Sequence, residues 1–173
     1  MNIETEHKRR TATPDIEIRM ATIDDVPKLC RLFGYFYEDS RWFGIIHYQP
    51  AKALRHLRYA IENGAYIYIV AFDGDQMVGV ISYSIFQAMC DPIAVMEETY
   101  LLKPYRRTDL GLKMVMLAME VAKKSDNCKI FNFPLCSGMQ ETQSYTNMLA
   151  KHFDAKPVGV VMSVVLTGEN DGR

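Results

Sequence analysis

The sequence predicts an α/β fold of the α+β kind: a mixed, mostly antiparallel central sheet of six to seven strands flanked by about four helices. Three observations predict it. Apolar residues recur at helical spacing in four separate stretches. Three strand-like runs follow one another in the middle of the chain, and consecutive strands joined by turn residues form antiparallel hairpins. A strand–helix–strand run comes after them, an order that asks for a parallel crossover.

The first residues, MNIETEHKRRTATP (1–14), are polar and aperiodic and read as a flexible arm, in which Lys8, Arg9 and Arg10 are either a solvated tail or a contact to a partner. IEIRM then alternates like a strand. Thr22, Asp24 and Asp25 offer N-caps and Pro27 suits a first helical turn. Val26, Leu29, Cys30, Phe33, Phe36 and Tyr37 form the apolar stripe of a first helix. The aromatic-rich EDSRWFGIIHYQP has no period and reads as a connection folded over something. Leu54, Leu57 and Ile61 mark a second helix that Asn63 and Gly64 close.

AYIYIVAF is a strand, DGDQ a tight hairpin turn and MVGVISYSIF the returning strand. Asp91-Pro92 breaks the chain before IAVMEETYLL. Leu110, Met114, Leu117 and Val121 share one face of a third helix, and Val115, Met116 and Met119 are apolar too, so this helix should lie largely buried against the sheet. CKIFNFPL is a strand, Tyr145, Met148, Leu149 and His152 stripe a fourth helix, and VGVVMSVVL closes the fold. The order β-α-α-β-β-β-α-β-α-β fits one domain over residues 15–167, with a short tail at 168–173.

Net charge of −1 suggests neither a broad nucleic-acid footprint nor a polybasic membrane anchor. No apolar run approaches the roughly 20 residues of a membrane span, and no signal peptide opens the chain. Cys30, Cys90, Cys128 and Cys136 show no metal-type or disulfide spacing, so buried, reduced thiols in a cytoplasmic protein are expected, with no metal.

The junction LLKPYRRTDLGLKMV (101–115) runs from strand to helix through a proline, two arginines and one glycine. A helix start leaves N–H groups unpaired at the positive end of its dipole, so this turn suits an anion. Here the whole pattern resembles the GNAT superfamily of acyl-CoA N-acyltransferases, over about Ile16 to Leu166. IEIRMATIDDVPKLCRLF looks like its first strand and helix, and DGDQMVGVISY like its central hairpin, with Gly79 at the characteristic glycine. EETYLLKPYRRTDLGLKMVMLAMEVAKK looks like its fourth strand, pyrophosphate loop and third helix, and HFDAKPVGVVMSVVL like its closing stretch.

The resemblance implies acetyl-CoA as cosubstrate, held by Arg106, Arg107, Thr108, Asp109, Leu110, Gly111 and Leu112, with backbone groups of Leu101 and Leu102 pairing with the pantetheine arm. Read from Arg106, Asp109 replaces the first glycine of the family's loop and Gly111 keeps the second. Read from Arg107, the loop is one residue short. Asp109 points outward or caps the helix. Asn132 orients a ligand, or is a buried asparagine bonded to backbone.

Acyl transfer to an amine needs a neutral nucleophile, and the resemblance implies a glutamate on the fourth strand as the base. Glu97 and Glu98 both lie there. Alternation sends their side chains to opposite faces; counting to Pro104, as the resemblance implies, favours Glu97, and a bulge would swap the two. The tyrosine that the resemblance implies as proton donor to the thiolate falls on Met148. Tyr145, one turn earlier, is the candidate, with a core tyrosine as the competing reading. Phe36, Trp42, His47 and Tyr48 wall the acceptor pocket or belong to the core.

The function implied is N-acetyl transfer from acetyl-CoA to a primary amine, of a small molecule or a peptide, by direct attack in a ternary complex. The alternatives are a non-catalytic GNAT-fold protein that binds acyl-CoA or a protein partner, and an interaction protein whose arginines read a phosphate. A homodimer is compatible with the superfamily; a nucleic acid or a membrane is not expected as a partner.

Overall fold

The computed structural model describes residues 16–40, 43–44, 46–86, 91–125, 127–134, 142–153 and 155. The elements are β1 (Ile16–Met20), α1 (Val26–Asp39), α2 (Pro50–Glu62), β2 (Ile67–Asp73), β3 (Gln76–Phe86), β4 (Ile93–Leu101), α3 (Leu110–Ser125), β5 (Ile130–Asn132) and α4 (Thr142–Phe153). Their order is the expected one up to the closing strand, VGVVMSVVL, which lies outside the described residues, as do the arm, Trp42, Cys90 and Cys136. The five described strands stand in sequence order, β1-β2-β3-β4-β5, against an expectation of six to seven. All neighbours are antiparallel except β4 and β5.

The middle strands are apolar almost throughout because both faces of the sheet are covered. Ile69, Ala71, Val78 and Ile81 pack beneath α3 and α4 with Leu110, Met114, Val115, Ala118 and Leu149. Tyr68, Val70, Phe72, Val80 and Tyr100 pack beneath α1 and α2 with Val26, Leu29, Leu32, Leu57 and Ala60. At roughly 25 cal/mol per Å² of apolar surface, these two layers are the main source of stability.

Local signals end the elements. One 3-10 turn, Ile23–Asp25, precedes α1, and the Asp25 carboxylate accepts from the Thr22 N–H at 2.8 Å. After α2, Gly64 takes φ 62° and Ala65 N–H returns to Ala60 O at 2.9 Å, the closure expected of Asn63-Gly64. The hairpin turns on Gly74 at φ 58°.

Two helix faces differ from their sequence reading. In α3 the buried line is Leu110, Met114, Val115, Ala118 and Ala122; Leu117 and Val121 lie at its margin and Met116 is exposed. Small alanines mark the contact because they let the helix settle close to the sheet. In α4, Leu149 is buried and His152 is exposed. Cys30 and Cys128 are buried cysteines outside any disulfide. Among the described residues, no helix is long and apolar enough to cross a membrane.

Candidate active site

β5 pairs with β4 only from Ile93 to Val95. From Met96 onward that edge of β4 carries no strand among the described residues. The register sets which groups lie along it. Leu101 lies opposite Gly79, and Leu102 N–H bonds Val78 O at 2.9 Å. Alternation therefore turns the N–H and C=O of Leu101, and of Thr99 before it, to the open edge. Leu102 was expected to share that edge, but its amide is already committed to β3. The Leu101 carbonyl accepts from Arg106 Nε at 2.8 Å.

Gly79 makes the approach of α3 possible. A Cβ there would sit 2.4 Å from Leu101 Cδ2 and 3.1 Å from Met114 Sδ. A side chain there would have to push Leu101 and Met114 aside, so glycine lets helix and neighbouring strand settle this closely.

At the start of α3, Thr108 Oγ1 donates to Tyr105 O and accepts from Leu110 N–H. The Asp109 carbonyl takes Lys113 N–H. The N–H groups of Gly111 and Leu112 have no partner among the described residues. The Asp109 side chain is exposed and reaches Lys113 Nζ at 2.8 Å, and that hydrogen bond lowers its carboxyl pKa. It points outward, one of its two expected directions, and leaves the amides clear. Its φ is not in the left-handed region, so a glycine is not required there. Arg107 is the residue that takes φ 66°, and its side chain is exposed.

Arg106 has a different task from the expected one. Its guanidinium is partly buried over the Tyr100 ring and pairs with Asp39 at 2.7 Å. Asp39, at the end of α1, also accepts from Tyr100 Oη at 2.9 Å and Lys103 Nζ at 3.0 Å. Burial pushes the Asp39 carboxyl up, but the bonds from Lys103, Arg106 and Tyr100 outweigh it and hold it below the ordinary value. Arg106 thus ties α1, β4 and the loop together.

The two glutamates overturn the simple alternation. Ser82 pairs with Glu98 and Tyr83 pairs with Met96, so Glu97 is the extra residue of a β-bulge. Ser82 Oγ donates to Glu98 Oε2, and Ser84 Oγ donates to Glu97 Oε1 at 2.7 Å. Ser82 and Ser84 are two apart on one strand and share a face, so both carboxylates lie on the α1/α2 side. Glu98 is half-buried and Glu97 exposed. Burial raises the Glu98 carboxyl pKa against the bond from Ser82, and the Glu97 charge raises it further. Neither glutamate has an ion-pair partner among the described residues.

Tyr68 lies opposite Ser82 on β2 and so joins the row Tyr68–Ser82–Glu98. It is 5% exposed, and its hydroxyl has no hydrogen-bond partner among the described residues. Tyr66 and His56, with rings 5.9 Å apart, continue the row toward α2. None of these was expected from the sequence, although Ser82 and Ser84 stand out as polar residues inside an apolar strand.

Other candidates sit elsewhere. Tyr48 donates to Cys30 O at 2.6 Å and stacks on Tyr37, which fastens it to α1. Phe36 is half-buried, with its ring 5.6 Å from Tyr100. His47 is exposed, and Asn132 ends β5 opposite Val95. Tyr145 belongs to α4, and its side chain lies outside the described residues.

A family model described as the acetyltransferase (GNAT) family matches residues 33–153, well over half of the chain. The chain belongs to the GNAT family of acetyltransferases. Solved GNAT-like structures agree in fold. A possible acetyltransferase from Clostridium difficile 630 superposes with TM-score 0.67 at 14% identity, covering 87% of this chain and 99% of that one. A predicted acetyltransferase from Clostridium acetobutylicum, solved with acetyl-CoA, gives 0.67 at 11% identity, covering 86% and 96%. An aminoglycoside acetyltransferase from an uncultured soil metagenomic sample, in complex with sisomicin, gives 0.66 at 16% identity, covering 88% and 97%. No curated protein matches.

GNAT acetyltransferases use acetyl-CoA as cosubstrate, and the junction fits it. Two unpaired amides at the start of a 16-residue helix suit a pyrophosphate. Gly111 leaves room, since a Cβ there meets nothing nearer than Leu101 Cδ1 at 3.6 Å. Among the described residues, the outward-facing backbone of Thr99 and the Leu101 N–H are open to an extended amide chain, while the Leu101 carbonyl is held by Arg106 Nε.

Proposed function

We propose that the chain is an N-acetyltransferase that moves an acetyl group from acetyl-CoA to a primary amine of a small molecule or a peptide, by direct attack in a ternary complex. The observation that carries it is Glu98, a half-buried carboxylate with no cation partner, on the strand whose far edge opens beside the start of α3. The amine nitrogen attacks the thioester carbonyl, the C–S bond breaks, and the proton lost by the ammonium goes to Glu98, directly or through one water. The thiolate leaves and is protonated by Tyr145 or by solvent, its ordinary pKa of about 8.5 making it a tolerable leaving group. Amides of Gly111 and Leu112 hold the pyrophosphate, and Arg107 adds a charge beside it.

The test is release of free thiol from acetyl-CoA over a panel of amines. Glu98→Gln should lower kcat by 10²-fold or more and leave acetyl-CoA affinity unchanged. Coenzyme binding without turnover on any amine would favour the non-catalytic reading.

A further inference from the structure

The acceptor side carries more negative charge than a single proton transfer needs. The bulge places Glu97 and Glu98 side by side on one face, each held by a serine and neither matched by a lysine or arginine among the described residues. Their neighbours across the sheet, Tyr68 and Tyr66, are neutral, and the one nearby group that opposes their charge is His56 on the exposed face of α2. Two adjacent like charges repel, and a fold keeps such a pair without a cation only at a cost. A second observation points to a ligand. Tyr68 is 5% exposed, shares the cross-strand row of Glu98, and its hydroxyl finds no protein partner among the described residues. The ring is buried while the hydroxyl oxygen keeps contact with solvent, so a polar group entering along this row can reach it.

We infer that the acceptor is a dication: Glu98 receives the proton of the attacking amine, Glu97 holds a second ammonium on the same molecule, and the Tyr68 hydroxyl hydrogen-bonds the attacking group. The substrate class is a diamine or a larger polyamine-like molecule rather than a simple alkylamine. This rests on the acetyl-transfer reading above. Only one ammonium is deprotonated; the other keeps its charge through the reaction and leaves with the product.

The experiment uses the full chain, acetyl-CoA, 1,4-diaminobutane and butan-1-amine, with thiol release as readout. The kcat/KM for the diamine should exceed that for the monoamine at least tenfold, and Glu97→Gln should bring the ratio close to one. Glu120→Gln, a remote surface change on α3, should keep it. Tyr68→Phe should raise KM for the diamine without altering acetyl-CoA affinity. A wild-type ratio near one, or a ratio unaltered in Glu97→Gln, overturns the inference while leaving acetyl transfer standing. If neither amine turns over, acetyl transfer to amines is what fails. Thermal shift with each amine in the presence of coenzyme A then decides the rest: diamine-selective stabilisation lost in Glu97→Gln supports the dication site, and its absence overturns it.

Discussion

At the scale of single residues, Asp25 shows how much one carboxylate can do. It accepts from Arg19 at 2.6 and 2.9 Å and from Thr22 N–H, and these bonds, Arg19 first, bring its pKa from 3.8 to about 2 despite burial. Because the folded value lies below the unfolded one, the stability it adds is complete above about pH 4 and drains away as the pH falls through about 2. That contribution is about 2 kcal/mol. Asp25→Asn should lose most of it at pH 7, and urea midpoints should converge with the wild type near pH 2. Glu98 has the opposite sign. Its folded pKa is raised, so the wild type loses stability as pH climbs from the ordinary carboxylate value through the raised one, and if Glu98 is the proposed base, turnover should rise over the same range. Glu98→Gln should therefore melt higher than the wild type at neutral pH while being nearly inactive, a trade of function against stability. A pH series of melting temperatures and kcat/KM checks both signs.

The helix start was legible in the sequence as a cap, with Thr22, Asp24 and Asp25 as candidates, because capping is a local backbone matter; Thr22 takes the N-cap and Asp25 closes the capping box from the third position. Which glutamate faces the cleft was not. Alternation assigned Glu97 and Glu98 to opposite faces, and the bulge opposite Ser82 and Tyr83 placed them together. A bulge is decided by how two strands pair, and neither strand alone carries that information.

At the scale of elements, the question is how β4 and α3 are held in register. Gly79→Ala would push a methyl against Leu101 and Met114. It should cost about 1–3 kcal/mol by overpacking. By displacing Leu101 it should also weaken acetyl-CoA binding, which titration calorimetry on the folded variant would read. Asp39 works through charge at the same end of β4, where it binds Tyr100, Lys103 and Arg106. Asp39→Asn leaves the partly buried Arg106 without its anion, at about 1–3 kcal/mol. The looser loop should raise KM for acetyl-CoA several-fold with little change in kcat. The loop's composition was readable, but the roles of its two arginines were not. Arg106 turns inward to an aspartate 67 residues away in the chain, and Arg107 is left exposed.

For the whole molecule, two cores cover opposite faces of one sheet, and among the described residues β5 leaves β4 after Val95. A ligand bound there stabilises only the native state. Acetyl-CoA at 100 times its Kd should add about 2.7 kcal/mol, a rise of several degrees in Tm for a chain of this size. No shift at saturating acetyl-CoA would remove the coenzyme site from this junction.

The sequence by itself determined the element order, the caps and turns, the covered sheet and the strand-to-helix junction suited to an anion. Each of these follows from periodicities and backbone preferences that operate within a few residues. The tertiary structure alone decided that Glu97 and Glu98 share a face, that Tyr68 and Ser82 join them, that Asp39 claims Arg106, and that α3 buries Ala118 rather than Leu117. Those outcomes depend on strand register and on which distant surfaces meet, and no local pattern contains the position of a partner that arrives from elsewhere in the chain.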